Sequence, residues 1–136
     1  MLRMPPIRIR RQRGMSLLET ALMIVVIFNV VFWVFELGWL MYTYSVMADA
    51  ANEGVRYAIV HSGGDTTGAK ARVATFARTS LHNVSAISTS ITFPDGNSAP
   101  PNRVRVTVSY TYVPWLSNFI NTPTMTTYAE GRMIVP

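Results

Sequence analysis

Residues 10–28 read RRQRGMSLLETALMIVVIF: a block of arginines, one glycine, and then an apolar run that begins at once. From Leu17 to Phe35 the only polar residues are Glu19, Thr20 and Asn29. Crossing the hydrocarbon core of a bilayer takes roughly 20 predominantly apolar residues. The run therefore predicts a transmembrane helix over about Leu18 to Trp39. The competing reading is a buried helix in a soluble core. It fails because a chain of 136 residues has little left to cover a helix that is apolar on every side. Trp33, Trp39, Tyr42 and Tyr44 cluster toward the far end of the run, as aromatic residues do where a span meets the headgroups. Against this background Glu19 stands out. A carboxylate entering hydrocarbon is costly unless it meets a cation.

The formal net charge of +5 is a property of one end of the chain. Five of the twelve basic residues, Arg3, Arg8, Arg10, Arg11 and Arg13, precede Gly14. From Met15 onward seven basic residues face seven acidic ones, so the rest is neutral and offers no nucleic-acid surface. Basic residues before a first span hold that flank in the cytoplasm, which predicts a cytoplasmic N-terminus and an exported C-terminal part. With no cysteine, the exported part uses no disulfide and no thiol chemistry. Ala48-Asp49-Ala50 resembles a signal-peptidase site, but the apolar run exceeds the 7–15 residues usual for a signal sequence.

These features divide the chain into a basic, disordered leader (1–14), a long N-terminal helix (15–62) and an exported α+β domain (63–136). Beyond the membrane, Asp49, Asn52, Glu53 and Arg56 recur at helical spacing on one face, with Met47, Ala50, Ala51, Gly54 and Ala58 opposite them. Gly63-Gly64 marks the stop. Met15 to Ser62 would span about 72 Å as a helix, at 1.5 Å per residue. A second short helix is expected over Thr67 to Leu81, burying Ala69, Val73, Phe76 and Ala77. The period then becomes two. Ile87, Thr89, Ile91 and Phe93 alternate with polar residues, and Val104, Val106, Val108, Tyr110 and Tyr112 do so more clearly within RVRVTVSYTYV (103–113). With a last strand at about Met125 to Val135, this is an α+β fold with a small antiparallel sheet of about three strands, wet on one face and packed on the other. PDGNSAPPN (94–102) is dense in turn formers, and Asp95-Gly96-Asn97 reads as a turn before it reads as a calcium site. The apolar PWLSNFI (114–120) reads as a loop covering the sheet, with an exposed adhesive patch as the alternative.

No catalytic constellation emerges. His61 and His82 have no metal-ligand spacing and no cysteine partner. HSGGD (61–65) carries the letters of a hydrolase triad, but neighbouring residues cannot meet as a triad does, and GxSxG is absent. GGDTTG lacks the Lys-Ser/Thr ending of a phosphate loop. Asn83-Val84-Ser85 fits a glycosylation sequon, a match frequent by chance. The expectation is a protein with no catalytic residues, no metal, no cofactor and no small-molecule substrate.

The glycine-to-glutamate spacing carries a resemblance. A basic leader, Gly14, then Met15-Ser16-Leu17-Leu18, then Glu19 and about twenty apolar residues resembles a type IV prepilin. ELG (36–38), AANEGVRYA (50–58) and a C-terminal sheet narrow this to the TadE-like pseudopilins, minor pilins of the bacterial tight-adherence (Flp) type IVb pilus. Thr20 departs from that pattern, and Met-Ser-Leu-Leu is bulkier than the usual small residues. The resemblance implies that a prepilin peptidase cuts between Gly14 and Met15. It further implies that Glu19 pairs with the α-amine of a neighbouring subunit, and that the partners are other pilin and pseudopilin subunits and the lipid bilayer. The location implied is the inner membrane, single-pass, with passage into a surface pilus. Physical chemistry agrees with the pairing. At 4 Å and an effective dielectric near 20, a charge pair is worth roughly 4 kcal/mol before desolvation.

Candidate helix–helix contacts are Asn29 and Glu36, which share a stripe with Trp33, together with Gly54, Glu53 and Arg56. For each a plainer reading stands beside it. Asn29 is tolerated burial, and Glu36 is hydrated at the outer interface. The small face of Ala50, Gly54 and Ala58 packs on the chain's own sheet. Glu53 and Arg56 pair locally for a few tenths of a kcal/mol. The functional alternative to a pilin is an uncleaved single-pass adaptor whose exported domain binds an envelope partner.

Overall fold

The computed structural model describes residues 9–61, 63, 65–81, 83–115 and 121–135, with side chains from residue 14 onward, Val84 excepted. Residues 1–8 of the expected leader, Ser62, Gly64, His82 and the 116–120 part of the apolar loop lie outside the described residues. The elements follow in the order α1 (Ile9–Val60), α2 (Thr66–Ser80), a 3-10 turn (Val84–Ala86), β1 (Ile87–Thr92), β2 (Arg103–Thr111) and β3 (Thr124–Arg132). This is the expected α+β architecture, with a long N-terminal helix, one more helix and a three-stranded antiparallel sheet. The chain divides between Leu37 and Gly38 into two units.

In the first unit the helix begins at Ile9, inside the segment read as a disordered leader. The reason is local. Pro5-Pro6 is the last strong breaker, and from Ile7 to Arg13 the residues are Ile, Arg and Gln, all acceptable helix formers. Gly14 does not stop the helix, and a Cβ built there would meet nothing within 4 Å. Every residue from Gly14 to Phe35 is exposed. An 18-residue window of this helix is apolar enough to cross a membrane and is 0% buried, unlike the core helix of a soluble protein.

In the second unit the helix changes character. Thr43, Val46, Met47, Ala50, Ala51, Gly54, Val55 and Ala58 are all buried, two interleaved rows at a spacing of four that make one stripe. The stripe is rich in small residues because two other elements approach it closely. A Cβ on Gly54 would lie 2.6 Å from Cγ2 of Val73 in α2 and 3.2 Å from Cγ1 of Val106 in β2. Farther along, a Cβ on Gly131 of β3 would lie 2.5 Å from Cγ1 of Val55. The two helix segments thus lie side by side on one face of the sheet, α2 against β1 and α1 against β2 and β3. Of the two readings of the small face, packing within the chain is the one seen.

The sheet runs β1-β2-β3, with Ile87 opposite Tyr110, Thr92 opposite Arg105 and Arg105 opposite Glu130. Its inner face is Val104, Val106, Val108, Tyr110 and Tyr112 with Ala129 and Met133, as the alternation in β2 predicts. Helix α2 buries Ala69, Val73 and Ala77 but not Phe76, which is 39% exposed. Residues 69, 73 and 77 already form the line facing the sheet, and Phe76 lies off that line on the helix flank. The Asp65 side chain caps α2 by accepting hydrogen bonds from the amides of Thr67 (3.1 Å) and Gly68 (3.0 Å). Helix α1 stops at Val60, and Gly63, at φ +68°, turns the chain in a conformation that favours glycine.

Gly54→Val should destabilise the second unit by at least about 1 kcal/mol, since overpacking a filled core costs typically 1–3 kcal/mol. Val73→Ala in the same chain should recover part of the loss, because it removes the methyl nearest the new side chain. Urea unfolding of the detergent-solubilised full chain, followed by near-ultraviolet dichroism, measures both. Equal stability of wild type and Gly54→Val would contradict the close packing.

Candidate processing and assembly site

The candidate residues of the first unit lie along one uninterrupted helix. Gly14 and Met15 are neighbours in one turn and Glu19 lies a turn further on, so the Gly14–Met15 peptide lies inside helical backbone. Glu19 is exposed, and among the described residues no ion pair involves it. Its neighbour Thr20 donates its hydroxyl to the Ser16 carbonyl at 2.9 Å, which satisfies that donor within the helix. In the intact chain the nitrogen of Met15 is an amide. An α-amine four residues before Glu19 arises only if the bond after Gly14 is cut.

Asn29 and Trp33 are exposed with the rest of the apolar helix. Glu36 is not simply hydrated, as the plainer reading held. It is 8% exposed and has a partner.

The second unit carries the remaining candidates. Gly54 faces Val73 and Val106 within the chain. The local pair expected between Glu53 and Arg56 does not form. Among the described residues the ion pairs are Arg103 with Asp95, Arg103 with Glu130 and Arg105 with Glu130. Arg56 is exposed and Glu53 half-buried, so water competes for both, and an exposed pair gains little by closing. The two instead line an open groove of about 590 Å3 with Asp49, Phe76 and Glu130. At the other end of the unit, Trp39, Thr43, Leu81, Tyr110, Tyr112 and Trp115 line a second, more apolar recess of about 470 Å3.

Charge on the outer sheet face is organised by the turn. Asp95 receives the Arg103 backbone amide at 2.8 Å and the guanidinium at 2.9 and 3.2 Å. The Arg103 side-chain hydrogen bond holds the Asp95 carboxyl down at about 2, below its ordinary 3.8. Because the folded value is depressed, this contribution to stability is complete above pH 3.8 and is lost as pH falls toward 2. Carbon-13 titration of the Asp95 carboxyl should give a midpoint near the lower value, and Arg103→Gln should raise it part of the way, since the backbone amide of residue 103 still donates to the carboxylate. An unshifted wild-type midpoint would show that the bridge does not persist in solution. Gly96, at φ +100°, lets the turn close, and Arg105 lies 5.0 Å over the Tyr128 ring.

The Asp95–Arg103 bridge escapes a reading of the sequence, although Asp-Gly in a turn beside an arginine-bearing strand is its signal. The close approach at Gly131 escapes it too, and a glycine inside a strand is its signal. Asp65 is visible as the residue before a helical run. Among the described residues no group of three or more His, Cys, Asp or Glu is placed to hold a metal.

Taken together, the features of the first unit are those of a membrane-anchored, single-pass protein: a helix long and apolar enough to span, with its sides unpacked. Comparison with known families adds one similarity. Residues 14–56 match the model of the family described as TadE-like protein, a match that begins at the glycine and ends in the buried stripe of α1. No curated protein and no solved structure matches the chain.

Proposed function

We propose that this chain is a minor pseudopilin of a Tad/Flp-type IVb pilus, a structural subunit rather than an enzyme. It enters the inner membrane with its N-terminus in the cytoplasm, is cut after Gly14 by a prepilin peptidase, and joins other pilin subunits during pilus assembly or priming. The observation that carries this reading is the TadE-like match, whose first residue is Gly14, five positions before Glu19. The exposed Glu19, which has no ion pair among the described residues, supports it, since such a carboxylate is stable in a membrane only beside a cation.

The test is the intact mass of the protein extracted from membranes that also contain the peptidase and the other pilus subunits, with the co-purifying chains identified. Loss of residues 1–14 together with co-purifying pilins is the expected result. A full-length chain purifying without pilins would favour the single-pass adaptor instead. Orientation is tested separately. A reporter active only outside the cytoplasm, fused after Pro136, should be active, because the arginines precede a single span. An active cytoplasmic reporter at the same site would reverse the topology.

A further inference from the structure

The second unit is electrically divided. Its charged residues, Arg78 in the last turn of α2 apart, gather at one end. At the far rungs of the sheet Arg105 stands between Thr92 and Glu130, and Arg103 pairs with Arg132. Asp49, Glu53, Arg56 and Glu130 share the groove described above. At the opposite end the sheet is bare of charge. Its rung is Ile87, Tyr110 and Met125, about 17 Å along the strand from Arg105 at 3.4 Å per residue. From Val106 to Ala129 the sequence contains no Asp, Glu, Lys or Arg, and neither do Gly38 to Ala48 or Leu81 to Pro94.

Two tryptophans mark this uncharged end. Trp115 is 81% exposed and Val113 is 56% exposed, both just past the last residue of β2. They line the same recess as Trp39, the tryptophan with which the apolar run of α1 closes. Trp115 therefore sits at the level on this unit where the sequence leaves the hydrocarbon. Indole rings favour the boundary between headgroups and acyl chains, where the ring meets apolar surface and the N–H stays wet. The nearest charge along α2 is Arg78, one turn before Leu81 of the recess, and a guanidinium there suits the phosphate level. Burial of the Tyr110 phenol raises its pKa, so that side chain also stays uncharged.

We propose that this uncharged end, with Val113 and Trp115 at its tip, is a lipid-contacting surface that seats in the interfacial layer of the leaflet reached by Trp39. The occupant is phospholipid, and the contact is a second attachment to the bilayer beyond the spanning helix. It rests on membrane anchoring and not on the pilin role, so it holds equally for an uncleaved adaptor.

The absence of native cysteine makes the test direct. Spin labels are placed singly on Val113→Cys, Lys70→Cys and Val26→Cys in the full chain. Each variant is reconstituted at one copy per phosphatidylethanolamine–phosphatidylglycerol nanodisc. Collision with oxygen, which concentrates in lipid, is compared with collision with a water-soluble nickel chelate. Lys70 is the aqueous reference, because it lies two residues past Gly68, which abuts Tyr57 near the end of α1. The label at 113 should show an oxygen-to-nickel ratio several-fold above that at 70, approaching the one at 26. A ratio at 113 equal to that at 70 overturns the proposal. Protection at 113 that appears only when several copies share a disc assigns the surface to a second copy and also overturns it. A water-accessible label at 26 removes the anchoring reading, and the proposal falls with it.

Discussion

Gly14→Val is expected to leave residues 1–14 attached in the presence of a prepilin peptidase, with cleavage falling from near complete to undetectable. The structure makes this a clean experiment. A Cβ at Gly14 meets nothing within 4 Å, so the substitution disturbs no packing and the helix continues through it. Glycines that serve packing look different here: at Gly54 and Gly131 an added methyl would lie within 3 Å of a valine carbon. A glycine with open space around it meets no packing demand, which leaves room for the proposed recognition by a peptidase. Intact mass decides the matter. An unchanged mature N-terminus in the valine variant would remove Gly14 from the processing site.

Glu19 carries the second large effect, and it separates cutting from assembly. Glu19→Ala and Glu19→Gln should both be processed, because the glycine and the arginines before it remain. Both should then fail to join partner subunits. A pair worth roughly 4 kcal/mol before desolvation needs to retain only a third of that to change association about ten-fold. Glu19→Asp keeps the charge but shortens the reach by one methylene, and should fall between. Glutamine is the discriminating variant, since it removes the charge at nearly constant volume. If shape rather than charge mattered, it would assemble like wild type. Co-purification of cleaved variants with other pilins is the measurement. Normal assembly of both the glutamine and alanine variants would reduce Glu19 to a carboxylate sitting among headgroups.

How much of the fold is legible in the sequence depends on the kind of signal each element leaves. Strand β2 is legible because four apolar residues alternate with polar ones over its length, and a period of two has one interpretation. Helix α2 emerges within one residue at each end, yet Phe76 is expected inside because hydrophobicity says nothing about which side of a helix meets the sheet. The start of α1 is expected too late. Charge and the glycine bound the leader, whereas backbone propensity recognises no boundary between Pro6 and Gly14. The Glu53–Arg56 pair follows from spacing alone, and spacing permits a contact without making it worth forming in water. Glu36 is buried where the sequence leaves contact and hydration both open, because spacing alone does not report burial. The Gly14–Glu19 spacing is legible, and the matched family begins there, but a spacing names a recognition pattern and not an event.

Helical backbone running unbroken from Ile9 also has a kinetic meaning for the proposed cleavage. In an α-helix the Gly14 carbonyl accepts from the amide of Leu18, and the Met15 amide donates to the carbonyl of Arg11. A peptidase that attacks an extended chain meets this bond only in molecules whose turn has momentarily opened. Its rate is then limited by the fraction of open molecules. Glycine weakens a helix by about 1 kcal/mol relative to alanine, which raises that fraction roughly five-fold. Gly14 would thus act as a built-in fault line that lowers the cost of opening the chain where it is to be broken. Hydrogen exchange at the Leu18 amide reads the open fraction directly, and exchange no faster at Leu18 than at Leu22 would remove the fault line.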